Sequence, residues 1–196
     1  MNVPNKLTVS RFALTVVLLA VMFLQFRFFE IVALLVFSAA SLTDYFDGKI
    51  ARRDKLITNF GILMDPLADK ILVCSVFIAF VDLRWMQAWM VVIIVARELA
   101  ITGLRLLAAS KNMVLAAEGY GKHKTISQIV AIIAIFVYHS YQQVGVVGRV
   151  IFGFEIAGKP WVAWFMPLAI WVAVVLTLFS GALYLWRNRE LYLQDL

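Results

Sequence analysis

The chain has 196 residues, 63% of them hydrophobic and only 15% charged, with a formal net charge of +6. Soluble domains average about 45–50% apolar and about 25% charged residues, so an ordinary soluble domain is excluded and an all-α integral membrane protein is expected. The length fits one domain, residues 1–196; the single cysteine, Cys74, can form no disulfide within the chain, and nucleic acid is not an expected partner.

Hydropathy places about six spanning helices, roughly at 8–26, 30–53, 60–81, 85–109, 124–142 and 160–186. Pro4-Asn5-Lys6-Leu7-Thr8 reads as a helix start near the interface. Lys6 and Arg11 ahead of the run Phe12 to Phe26 superficially resemble a signal peptide, but no small-residue cleavage site follows, so an uncleaved first span is expected. Alternate connections differ sharply in basic residues. One side holds Lys6, Arg11, Arg52, Arg53, Lys55, Lys111, Lys122, Lys124, Arg187 and Arg189, with Lys49, Lys70, Arg97 and Arg105 in the adjoining helix halves. The other holds Arg27, Arg84, Arg149 and Lys159. Basic residues favour the cytoplasmic side, which puts both termini there. Trp85 and Trp89, Trp161 and Trp164, and Tyr184 and Trp186 fall at span ends and read as interfacial belts.

Against this apolar background Asp44, Asp47, Asp65 and Asp69 lie within 26 residues, all on the cytoplasmic half. An aspartate at a bilayer centre costs about 2.5–3.5 kcal/mol even on lenient scales, so four call for a compensating charge. At about 100° per residue, Asp44 and Asp47 share a stripe with Gly48 and Ala51 on the second helix. Asp65 and Asp69 share one with Gly61 and Ala68 on the third. Opposed carboxylate stripes suit hard divalent cations, Mg²⁺ or Mn²⁺, and four carboxylates suit a pair of ions. No His or Cys accompanies them, which disfavours zinc. Pro66 removes a backbone bond, so the third helix is expected to begin irregularly just before it.

The run Asp44-Tyr45-Phe46-Asp47-Gly48-Lys49-Ile50-Ala51-Arg52, followed by Gly61, Asp65 and Asp69, reads D-x2-D-G-x2-A-R-x8-G-x3-D-x3-D. It resembles the signature of the CDP-alcohol phosphotransferases without departure. That resemblance implies transfer of a phosphatidyl-type group from a CDP-linked lipid to an alcohol, with release of CMP. It implies that Asp44, Asp47 and Asp65 hold two divalent cations and that Asp69 deprotonates the attacking hydroxyl while also able to touch a metal. It assigns Gly48 and Arg52, with Ala51 and Gly61 in the same signature, to the CDP-lipid, and a homodimer to the assembly. Thr58, Asn5 and Thr8 are additional candidates for nucleotide contacts.

Arg97, Arg105, Lys122 and Lys124 form a second basic set, and Arg97 stands inside an otherwise apolar run with Glu98 as a sequence neighbour rather than an obvious face partner. Four cations near the metal site favour an acceptor that itself carries a phosphate, glycerol 3-phosphate before serine, choline or ethanolamine. The expected reaction joins CDP-diacylglycerol and glycerol 3-phosphate at the cytoplasmic face of a bacterial inner membrane, surrounded by membrane lipids. Same-fold alternatives use phosphatidylglycerol (cardiolipin synthesis) or an inositol phosphate as acceptor. A divalent-cation transporter is the alternative of another class.

Overall fold

Long runs of Leu, Val, Ile, Phe and Ala leave the backbone to satisfy its own hydrogen bonds along helices, and helices dominate the computed structural model of the chain. It describes residues 3–54, 59–111, 113 and 120–193, with side chains for 9–43, 67, 70–109, 111, 113 and 123–192. The long helices are α1 (Val3–Leu24), α2 (Phe29–Asp54), α3 (Asn59–Asp82), α4 (Ala88–Ser110) and α5 (Tyr120–Ser140). A short α6 (Gly145–Phe152) and a two-residue antiparallel hairpin, β1 (Glu155–Ile156) with β2 (Lys159–Pro160), lead into α7 (Trp161–Arg187) and α8 (Arg189–Leu193).

The six long helices coincide with the expected spans to within a few residues, apart from the earlier starts of α1 and α5. Among the described residues α7 alone is long and apolar enough to cross a membrane by itself, while Val9–Leu24 and Phe29–Thr43 are shorter apolar stretches. Two expectations need correction. The third helix does not begin just before Pro66: α3 is helical from Asn59 straight through it. A proline withdraws one intrahelical bond, a loss that neighbouring elements in a bundle can absorb. The hairpin and α6 were not foreseen.

α1 packs against both α2 and α3, α5 also meets both, and α7 lies against α4 and α5. The main core gathers Leu18 and Met22 from α1, Phe37 from α2, Phe77 and Phe80 from α3, Ile94 from α4 and Phe136 from α5, all fully buried. Ala131 and Ala134 of α5 face Ala169 and Ala173 of α7 in a cluster of small side chains, which lets those backbones approach closely. Trp85 is half-buried and packs against the core. It stacks on His139 at 3.9 Å, 10° from parallel, and touches Phe29, Phe80 and Phe136. Trp89 and Trp186 are exposed as expected of belt positions.

Candidate functional site

The signature residues sit on two helices. α2 is helical through Asp44, Asp47, Gly48, Ala51 and Arg52, and α3 through Gly61, Asp65 and Asp69, so the helical premise of both stripes holds. The directions of these side chains lie outside the described residues, as do the side chains of Asn5, Thr8 and Lys122 and the whole of Thr58. Both α2 and α3 pack against α1 and α5. As a donor set, four carboxylates without nitrogen or sulfur fit hard, oxygen-seeking cations.

The second basic set is described in more detail. α4 carries Arg97, Glu98, Thr102 and Arg105; α5 carries Lys124 and Gln128; α7 carries Thr177, Ser180, Gly181 and Tyr184. Glu98 is 4% exposed and is the hub. Its carboxylate pairs with Lys124, accepts a 3.4 Å bond from Gln128 Nε2, and lies 3.5 Å from Arg97 Nη1. A carboxylate taken this far from water requires such partners. Gln128 also donates to Thr177 Oγ1 at 3.1 Å, and Arg97 Nη2 donates to Ser180 Oγ at 3.4 Å. Thr177 and Gln128 are 0% and 2% exposed, so this is a polar core joining three helices rather than a solvated surface.

Glu98 is therefore a partner of Arg97, contrary to the sequence expectation, because the guanidinium lies back along α4 toward its neighbour. Gly181 makes room for that pose: a Cβ there would sit 2.7 Å from Arg97 Cγ. Buried Arg97 Nε has no hydrogen-bond partner among the described residues, leaving one donor of a fork that suits phosphate oxygens. Two turns along, exposed Arg105 donates from Nε to Tyr184 Oη at 3.3 Å, with its guanidinium carbon 5.6 Å from the ring centre.

Tyr184 is 4% exposed and belongs to this cluster, not to an interfacial belt. The sequence reading also passed over Gln128, Thr177 and Ser180. Their signal was present, since polar side chains inside apolar helices mark functional or interhelical contacts. The cluster is stapled to the signature helix as well. Lys70, next to Asp69, donates to Thr102 Oγ1, and Thr102 donates to the Glu98 carbonyl oxygen at 2.7 Å. Thus the structure joins Arg97 and Lys124 through Glu98 and holds Arg105 on Tyr184; Lys122 is placed only by its backbone in the first turn of α5.

The family model for CDP-alcohol phosphatidyltransferases matches residues 1–179. The chain belongs to that family. Among similar members, the CDP-diacylglycerol–glycerol-3-phosphate 3-phosphatidyltransferase of Bacillus subtilis (strain 168) is 37% identical, covering 96% of each chain. The protein of the same name from Rickettsia bellii (strain RML369-C) is 31% identical, over 93% of each. Another from Salmonella choleraesuis (strain SC-B67) is 36% identical over 67% of this chain and 74% of its own. In this CDP-alcohol phosphatidyltransferase the family match covers the aspartate signature together with Arg97, Glu98, Lys124, Gln128 and Thr177, and ends just before Ser180.

Proposed function

We infer that the chain transfers the phosphatidyl group of CDP-diacylglycerol to glycerol 3-phosphate, giving phosphatidylglycerol phosphate and CMP; it is a phosphatidylglycerophosphate synthase. The observation that carries this reading is similarity along nearly the whole chain to relatives named for that reaction. The set of cations gives it physical sense, since an acceptor with its own phosphate is matched by charge-assisted bonds to Arg and Lys. The enzyme spans the bacterial inner membrane several times, opens its site to the cytoplasm, and works as a homodimer.

Asp44, Asp47 and Asp65, with Asp69 at the margin, would hold two divalent cations, Mg²⁺ or Mn²⁺. When bound, these polarise the donor pyrophosphate and neutralise charge on the departing nucleotide. Gly48, Ala51 and Gly61 leave room for the nucleotide, Arg52 offers a phosphate fork, and Asn5, Thr8 and Thr58 supply further polar contacts. Arg97, Arg105, Lys122 and Lys124 bind the acceptor phosphate. Asp69 accepts the proton of the acceptor hydroxyl. That oxygen bonds to the phosphorus bearing diacylglycerol, and the bond from the same phosphorus to the CMP oxygen breaks.

Purified enzyme supplied with CDP-diacylglycerol and one alcohol at a time tests the reading. CMP release is expected with glycerol 3-phosphate. Release with phosphatidylglycerol or an inositol phosphate instead would transfer the assignment to the corresponding same-fold activity. Metal flux into liposomes without nucleotide lipid would favour a transporter.

A further inference from the structure

α6 is turned the wrong way for water. At about 100° per residue, Val146, Val147, Val150, Ile151 and, just past its end, Phe154 fall in one stripe about 140° wide. They are 76%, 61%, 71%, 54% and 67% exposed. The opposite side carries Gly148, which is buried, and a Cβ there would collide with the Tyr141 carbonyl oxygen. A helix on a water-facing surface turns its apolar stripe inward; α6 presses a glycine inward and shows its valines.

This stripe is held in place. Trp161 Nε1 donates to the Ile151 carbonyl at 2.9 Å, Trp164 Nε1 to the Ile156 carbonyl at 3.0 Å, and the Trp161 amide to the Phe154 carbonyl at 2.9 Å. Both indoles thus fasten α6 and the hairpin to the first turn of α7. The stripe continues onto the outward side of that apolar helix, where Trp164 and Leu168 are 52% and 61% exposed. Its rim carries two cations: Arg149 is exposed on the flank of α6, and Lys159 Nζ lies 5.5 Å over the Trp164 ring, with exposed Glu155 in the same hairpin. From Trp161 to Ser180 α7 rises about 28 Å, close to the roughly 30 Å thickness of a hydrocarbon core.

We propose that α6 and the β1–β2 hairpin lie in the phospholipid interface of the leaflet opposite the reaction site. The apolar stripe enters the upper acyl chains, and Arg149 and Lys159 meet lipid phosphates. Amphipathic anchors on both sides then fix the depth of α7, and with it the level of the Glu98 cluster. The proposal rests on the multi-pass reading given above.

The test uses full-length enzyme with Cys74→Ser and single cysteines at Val146→Cys, Val150→Cys or Ile151→Cys, each retaining CMP release. These are labelled with a nitrobenzoxadiazole dye in phosphatidylethanolamine–phosphatidylglycerol vesicles. Val175→Cys on α7, a position 54% exposed, is the control for membrane crossing. Nitroxide lipids labelled high on the acyl chain should quench the α6 sites at least twofold more than deep-labelled lipids or aqueous iodide. Iodide quenching of α6 with Val175 still quenched from the lipid would overturn the proposal alone. Water-like emission at Val175 too would overturn the multi-pass reading with it. Energy transfer between labelled copies at α6 that replaces lipid quenching would assign the stripe to a second chain and sink the proposal.

Discussion

Glu98 receives Lys124, Arg97 and Gln128 at one carboxylate that is 4% exposed. Removing one member of a buried pair leaves the other charge stranded, at a cost of about 3–5 kcal/mol. Glu98→Ala is therefore expected to lower the thermal midpoint in detergent markedly. Glu98→Gln, which preserves shape, should raise KM for glycerol 3-phosphate far more than KM for CDP-diacylglycerol, with partial recovery in Glu98→Asp. Equal effects on both substrates would mean that the residue only holds the bundle together. Arg105→Ala removes a charge-assisted contact of about 1.5–3 kcal/mol, so acceptor KM should rise tenfold or more while donor KM hardly changes. Asp69→Asn should abolish CMP release yet leave CDP-lipid binding, measured by equilibrium dialysis with labelled donor, largely intact. Normal turnover in that variant would remove Asp69 from the role of base. At this scale the ionisable residues were legible because charge in an apolar run is conspicuous. Tyr184 was not, since at a span end it reads equally well as a belt residue until Arg105 is found on its ring.

Helices are where the sequence spoke most plainly. Long, mostly apolar stretches favour helix, and the six expected ones form. Short pieces were hidden for the same reason: α6 is apolar, and its run merges in composition with the spans around it. Proline was overweighted as a breaker at Pro66, and α7 likewise continues through Pro167. Pairing between helices was not readable at all, because Gly181 carries no pattern that names Arg97 as its neighbour. Its consequence can be measured. Gly181→Ala forces the Arg97 stem aside, as overpacking does at about 1–3 kcal/mol, so lower stability and weaker acceptor binding should appear together. Ala157, at φ 53° ahead of Gly158 at φ 76°, occupies the left-handed first position of the hairpin turn. Asparagine tolerates that region better, so Ala157→Asn should stabilise the fold by up to about 1 kcal/mol, seen as a slightly higher unfolding midpoint.

The whole molecule separates two groups of helices: α2 and α3 bear the four aspartates, while α4 and α5 bear Arg97, Arg105, Lys122 and Lys124, with neutral partners on α7. If the acids act through divalent ions, chelation should abolish CMP release, and added Mg²⁺ or Mn²⁺ should restore it. Turnover that persists in excess chelator would contradict the two-cation scheme. Arg97 should remain beside Glu98 in stripped protein, since that pairing lies within α4.

Asp69 and Lys70 are consecutive, Lys70 reaches Thr102, and Thr102 is bonded to the backbone of Glu98. A single peptide link and two hydrogen bonds therefore separate Asp69, proposed above as the base, from Glu98, the hub of the basic cluster proposed to take the acceptor phosphate. With those proposed roles, such a coupling would work as a caliper with a fixed opening. A three-carbon acceptor would be gauged at its hydroxyl and phosphate ends simultaneously, and longer or bulkier alcohols would fail for want of span rather than want of affinity.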